Sequence, residues 1–337
     1  MQPEHASVLT ASTSRGQSLG GVARRARSGA LTYLGVGSML IALIVFFTVT
    51  QPQFATYANF VNILETNAVL LVVAVGLTLV MLVGGFDLSI GGFLALSGVL
   101  LAKLVGGGVP VGIAIALVIA GGIALGAAVN GVAIAKLGVS FFVVTLGMLA
   151  LTRGLALVIT DGQTQGLYDE RFIRSISDGR VAGVPYSVVI AVGVLGLGFW
   201  VTRYMGFGRQ VYAVGGNSEA ARLAGINVVA VRIAVYATCA GLAALAGVME
   251  AGRLAAAAPD TDQGIELTAA AAVLLGGTSF VGGSGGMFGT FLGTLFLGVL
   301  QNGLIIASIS AYWQGVISGG VLISSVLIDR FRRVRLS

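Results

Sequence analysis

From Gly29 onward the charged residues fall in small clusters, and between the clusters run stretches of about 20 residues with almost no charge. No other feature of the chain narrows its fold so far. A helix of that length crosses the hydrocarbon core of a bilayer, where every backbone N–H and C=O must be satisfied inside the segment. A transmembrane barrel would instead alternate polar and apolar residues over segments of about ten. Only 9% of the 337 residues are charged, against roughly 25% in soluble domains. The reading is an all-α polytopic membrane protein.

The pattern predicts about ten transmembrane helices: Gly29–Val49, Phe60–Val83, Gly91–Val105, Val111–Lys136, Phe141–Thr160, Tyr186–Tyr204, Val229–Glu250, Ile265–Phe280, Gly286–Ser308 and Tyr312–Ile328. Gly91–Val105 and Ile265–Phe280 are short, and are expected to be tilted, broken or re-entrant. Residues 1–28, rich in Ser, Ala, Gly and Arg, are expected to form a disordered tail. Residues 29–330 form the transmembrane domain, and 331–337 a basic tail. The apolar run after Arg24, Arg25 and Arg27 is too long for a signal peptide and lacks a small-residue cleavage site.

Basic residues orient the spans, because they accumulate on the cytoplasmic side. Arg15, Arg24, Arg25 and Arg27, then Lys136, then Arg203, Arg209, Arg222 and Arg232, then Arg330, Arg332, Arg333 and Arg335 all fall on one side. The opposite loops set Arg171, Arg174 and Arg180 against Asp161, Asp169, Glu170 and Asp178, and Arg253 against Asp260, Asp262 and Glu266. An even number of spans with both termini cytoplasmic satisfies this distribution. Loop 205–228 is then cytoplasmic and loop 161–184 periplasmic. The same placement accounts for the +6 net charge and pI near 9.8 without nucleic acid as a partner.

Ala213–Asn227 is the most polar stretch between two apolar runs. Gly215-Gly216 is expected to break the preceding segment, and Asn217 or Ser218 to cap a new helix. Glu219 sits where the helix dipole favours a carboxylate. Ala220, Leu223 and Ala224 share one face, and Gly225 ends the helix. About two turns of helix are unstable in isolation. The expectation is that its supporting surface belongs to another protein.

Other polar positions carry weaker signals. Asp87 lies in GGFDLSIGG, where an acidic residue at membrane depth is a functional candidate. The bland alternative is an interfacial cap for the helix begun by Leu88-Ser89. Asn67, Asn130, Gln301 and Asn302 fall inside spans, where they bond between helices or line a wet pathway. Glu65, Arg153 and Glu250 lie near span ends, which suggests snorkelling or local pairing. Gly285, Gly289 and Gly293 form a small-residue ridge for close helix packing. Leu82–Gly92 resembles Leu275–Gly283 in its paired Gly-Gly steps, a possible internal duplication.

Several chemistries lack their parts. The chain has one His, His5, and one Cys, Cys239, too few for His/Cys metal sites or a disulfide. Gly282–Gly286 fits G-x-S-x-G, but that elbow needs a strand-to-helix turn and a histidine base. There is no G-x-x-x-x-G-K-[ST] loop, so ATP would have to be bound by a partner.

Three stretches carry a resemblance: GGFDLSIGG at 84–92, FGRQVYAVGGNSEAARLAGINV at 207–228, and IELTAAAAVLLGGTSFVGGSGGMFGTFLGTLFLGVLQNGL at 265–304. The chain resembles the permease subunits of ATP-binding-cassette importers of the ribose/xylose/arabinose/galactose type. The likeness covers roughly residues 35–330, and the Arg-containing tail departs from it. It implies that Asn217, Ser218, Glu219, Ala220, Ala221, Arg222, Leu223 and Ala224 form a coupling helix docked on a cytoplasmic ATPase. That partner would carry ATP and Mg, and this chain no cofactor or catalytic residue. A second permease subunit and an extracytoplasmic sugar-binding protein, approaching loop 161–184, complete the implied system in a bacterial inner membrane. Asp87, Ser89, Asn67, Gln301 and Asn302 stand as pathway or gate candidates. Related permeases also carry autoinducer-2 or nucleosides. An ion-coupled secondary transporter is the competing class, and it would need acidic groups at mid-membrane.

Overall fold

A computed structural model describes residues 33–167 and 179–334, with backbone alone at 311, 318 and 328–334. The expected tail 1–28, the middle of loop 161–184 and residues 335–337 lie outside the described residues. The helices are α1 (Tyr33–Thr50), α2 (Tyr57–Leu82), α3 (Ile90–Gly106), α4 (Val111–Ala135), α5 (Phe141–Thr160), α6 (Tyr186–Tyr204), α7 (Gly206–Gly216), α8 (Ser218–Leu223), α9 (Val228–Leu254), α10 (Ile265–Leu275), α11 (Met287–Ile306) and α12 (Ala311–Val334). Seven of them, α1, α2, α4, α5, α6, α9 and α11, are long and apolar enough to cross a membrane. Three shorter apolar helices, Ile90–Gly106, Ile265–Leu275 and Tyr312–Leu327, occupy the remaining expected spans.

The core is built on α2. Every residue from Asn67 to Leu82 is buried, because α6, α9, α10 and α11 surround it. A helix covered on all sides is apolar all round and shows no polar face. The second axis is α9, packed on α2, α3 and α4. Close approach here depends on missing side chains: a Cβ on Gly247 of α9 would lie 2.2 Å from the Leu94 carbonyl of α3. The Gly289–Gly293 ridge of α11 meets α10 of the same chain, where a Cβ on Gly293 would lie 1.9 Å from the Ala272 carbonyl.

Two expectations change. The span written as Ile265–Phe280 stops at Leu275, since Gly277 takes φ +88 and turns the chain. Loop 205–228 is not a loop but two helices, α7 and α8, meeting at a corner. At the other end of the bundle, two-residue strands fasten the connections. β1 (Gln165–Gly166) pairs antiparallel with β4 (Ala256–Ala257), and β2 (Arg180–Val181) with β3 (Val184–Pro185). The second pair turns through Ala182 and Gly183, both at positive φ, as a tight hairpin requires. Arg180 also reaches Glu65 of α2 at 3.7 Å.

Candidate functional site: a corner of two helices and the buried polar cluster behind it

The corner formed by α7 and α8 begins where α6 ends. Met205 adopts extended backbone, and α7 then runs to Gly216. α7 ends at Gly215-Gly216, as expected. They form its last turn, and Gly215 lacks a side chain because the Leu82 carbonyl and the Gly283 amide occupy that space. Asn217 is extended and caps α8, its Oδ1 accepting from the Glu219 and Ala220 amides at 3.0 and 2.9 Å. Gly225, at φ +83, ends the element, and Asn227 caps α9 by accepting from the Ala230 amide.

On α8, Glu219 accepts two hydrogen bonds from Arg222, at 2.6 and 3.2 Å. The guanidinium holds the Glu219 carboxyl below its ordinary range. Asn217, Glu219, Ala220, Arg222, Leu223 and Ala224 are exposed and Ser218 is half-buried. Leu223 is 79% exposed, an apolar side chain presented at the tip of the corner. Ala221 alone turns inward onto the chain's own core.

Three backbones meet behind the corner. Gly283 donates to the Leu82 carbonyl at 3.0 Å, Gly282 lies against Gly84, and Gly283 lies against Gly216. Tyr212 of α7 donates to the Gly285 carbonyl at 2.9 Å. The two Gly-rich turns that resemble each other in sequence are therefore packed together, and α7 rests on both. Gly282–Gly286 is part of this junction and has no elbow geometry: it connects α10 to α11 through glycines at positive φ.

Asp87 is fully buried. Its carboxylate accepts from the Ser89 amide at the start of α3 at 2.8 Å, as a cap does, and also from the Ser89 hydroxyl and from Asn130 at 3.4 Å. Asn130 also donates to the Ser89 hydroxyl at 2.8 Å. Asn130 reaches this point because Gly126–Gly131 of α4 form a π-turn, with Gly126 and Gly131 close against α9. An Asp87→Ala variant is expected to lose about 2–3 kcal/mol of stability, since it strands buried donors of Ser89 and Asn130. Thermal unfolding in detergent measures this, and an unchanged midpoint would show the network to be dispensable.

The other pathway candidates are elsewhere. Asn302 of α11 exchanges two amide hydrogen bonds with Asn59 of α2, at 2.8 and 3.0 Å. Asn67 is buried beside Gly298, and Gln301 is half-buried. They lie along the α2–α11 contact, and the structure does not bring them to Asp87 and Ser89. Sequence reasoning missed a charge cluster at the start of α10. Arg153 of α5 faces Glu266 at 3.9 Å, Arg253 binds Glu250 at 2.5 Å, and Gly91 of α3 covers Glu266. The α10 helix rises only about 16 Å, half the hydrocarbon thickness, so Glu266 sits far inside the bundle.

Asp262, in the connection before α10, belongs to the same cluster. Burial and then the Glu250 carboxylate push its carboxyl up from 3.8 to about 6, against the pull of Arg253 and Arg153. The folded carboxyl binds its proton more tightly than the unfolded one. The stability it supplies is whole below about pH 4 and lost as the pH rises through about 6. The melting temperature of the wild type is therefore expected to fall relative to Asp262→Asn between those two pH values. Parallel curves for the two proteins would refute the assignment.

The family described as branched-chain amino acid transport system / permease component matches residues 59–326. The ribose import permease protein of Escherichia coli (strain K12) is 42% identical over 294 residues, 86% of this chain and 91% of that one. The D-allose transport system permease protein of the same organism is 36% identical, over 87% of this chain and 89% of its own length. The L-arabinose ABC transporter permease protein of Azospirillum brasilense is 34% identical, over 92% and 91% respectively. No solved structure matches the chain.

Proposed function

The chain belongs to the branched-chain amino acid transport system / permease component family, and from that premise we propose that it is the membrane subunit of an ATP-binding-cassette importer for a monosaccharide. It is a multi-pass integral membrane protein, and its membrane is the bacterial inner membrane. The family description names amino acids. The relatives at 34–42% identity over nearly the whole chain are named for ribose, allose and arabinose. That end-to-end likeness is the observation that carries the sugar assignment.

The remaining parts of the proposal are these. All ten apolar helices are membrane elements, with both termini and the α7–α8 corner in the cytoplasm. The corner docks on a separate ATPase, which binds ATP and Mg. The capped α8 and its exposed Leu223 support this role. The opposite end, with the β2–β3 hairpin, receives the sugar-binding protein, and a second permease subunit completes the pathway. This chain performs no catalysis.

The test is uptake in proteoliposomes holding the chain with its cassette ATPase and binding protein. D-ribose, D-allose and L-arabinose are the first panel. Uptake of at least one should need ATP and survive collapse of proton and sodium gradients. Uptake that tracks an ion gradient without ATP would replace this reading with an ion-coupled transporter.

A further inference from the structure

A cavity of about 350 Å³ lies at the end of the bundle that carries α7 and α8. One wall is the turn after α2, with Gly84 and Gly85. A second is the corner entering α5, with Ser140 and Phe141. The third is the first part of α9, with Arg232 and Tyr236. The volume falls within the range of small-molecule sites, roughly 300–1,000 Å³.

Several polar groups of these walls have no partner among the described residues. Arg232 makes no hydrogen bond or ion pair, and the Ser140 hydroxyl no hydrogen bond, with any described residue. The carbonyls of Gly84 and Gly85 accept none from the described residues. The lining thus offers guanidinium donors on one side, backbone acceptors on another, a hydroxyl able to do both, and the rings of Phe141 and Tyr236. Each hydroxyl of a sugar both donates and accepts, and its C–H faces pack on aromatic rings. An anion fits less well. Free carbonyls would face it, and Tyr236 holds the Phe86 carbonyl at 3.4 Å, one residue from the Asp87 carboxylate.

We propose that this cavity is a cytoplasmic exit site, which holds the monosaccharide last before release. The proposal rests on the permease reading. One wall is fastened to the docking corner: Gly283 bonds the Leu82 carbonyl at 3.0 Å, and Gly215 of α7 abuts the same carbonyl. The Arg232 wall is on α9, beyond the corner. Displacement of α7 by the ATPase moves the Gly84–Gly85 wall relative to Arg232 and changes the size of the cavity.

The experiment places a single cysteine, Ser140→Cys with Cys239→Ala, in the full transporter in inside-out vesicles. A membrane-impermeant maleimide is applied from the cytoplasmic face. D-ribose, D-allose or L-arabinose should slow labelling, by about tenfold once the sugar stands at ten times its Kd. Inorganic phosphate should not. Adding Arg232→Ala should raise the half-protecting sugar concentration roughly tenfold, the loss of one charged hydrogen bond. Protection by phosphate instead, no protection by any of the sugars, or a cysteine beyond the reagent's reach would each overturn the exit site. Absence of ATP-driven uptake by the unmodified transporter would overturn the permease reading itself, so the two failures are distinct.

Discussion

A Leu223→Asp variant is expected to insert and melt at the wild-type temperature, yet to import its sugar at least tenfold more slowly. Leu223 is 79% exposed and belongs to a helix whose only inward residue is Ala221. Its removal therefore costs the isolated chain almost nothing. Docking on the proposed ATPase would cover the side chain, and burying a leucine contributes about 1.5–3 kcal/mol. A carboxylate in the same place would be desolvated without a partner, which costs more still. A tenfold loss corresponds to about 1.4 kcal/mol, so the expected effect has a margin. Affinity for the purified ATPase should fall in parallel with uptake. The double variant Glu219→Ala with Arg222→Ala should show a smaller loss of the same kind, because an exposed ion pair is worth about 0–1 kcal/mol. Normal uptake by Leu223→Asp would remove α8 from the docking surface.

Gly215→Ala should fail differently. Its Cβ would lie 1.8 Å from the Leu82 carbonyl and 2.7 Å from the Gly283 amide, and both are backbone atoms that cannot rotate away. Overpacking of this kind costs about 1–3 kcal/mol or more. The variant is expected to melt at a lower temperature and to lose most of its uptake, because α7 is pushed off the junction through which it acts. Gly216→Ala is the control one residue away. Nothing lies within 4 Å of the Cβ it would add, and its melting temperature and uptake should match the wild type. If both substitutions behave alike, the backbone junction does not transmit motion.

The helix α8 and its caps were legible in the sequence because their signals are local. Asn217, Glu219 and Gly225 act within a few residues of themselves, and each sits where capping and dipole rules put it. Gly215-Gly216 mark the end of α7 as expected, but the reason for glycine at 215 is not local. As a local signal the pair says turn, whereas its cause is the Leu82 carbonyl, contributed by a helix far away in the sequence. Asp87 shows the same limit. Its bond to the Ser89 amide is local, but Asn130 comes from α4 through a π-turn that no residue pattern announces. The cluster around Glu266 was hidden because Arg153, inside α5, and Glu266, in the first turn of α10, come from helices far apart in the sequence, and only their packing pairs them.

The short α10 also governs how the chain is made. At 11 residues it is about half the length that partitions into a bilayer by itself, and its first turn holds a glutamate. Its run from Ala269 to Leu275 is buried, and the helix packs on α2, α11 and α12. Two of its neighbours, α11 and α12, are synthesised after it, so its packing is complete only once they are in place. The segment from Ile265 to Leu275 is expected to seat together with α11 and α12 rather than when it leaves the ribosome.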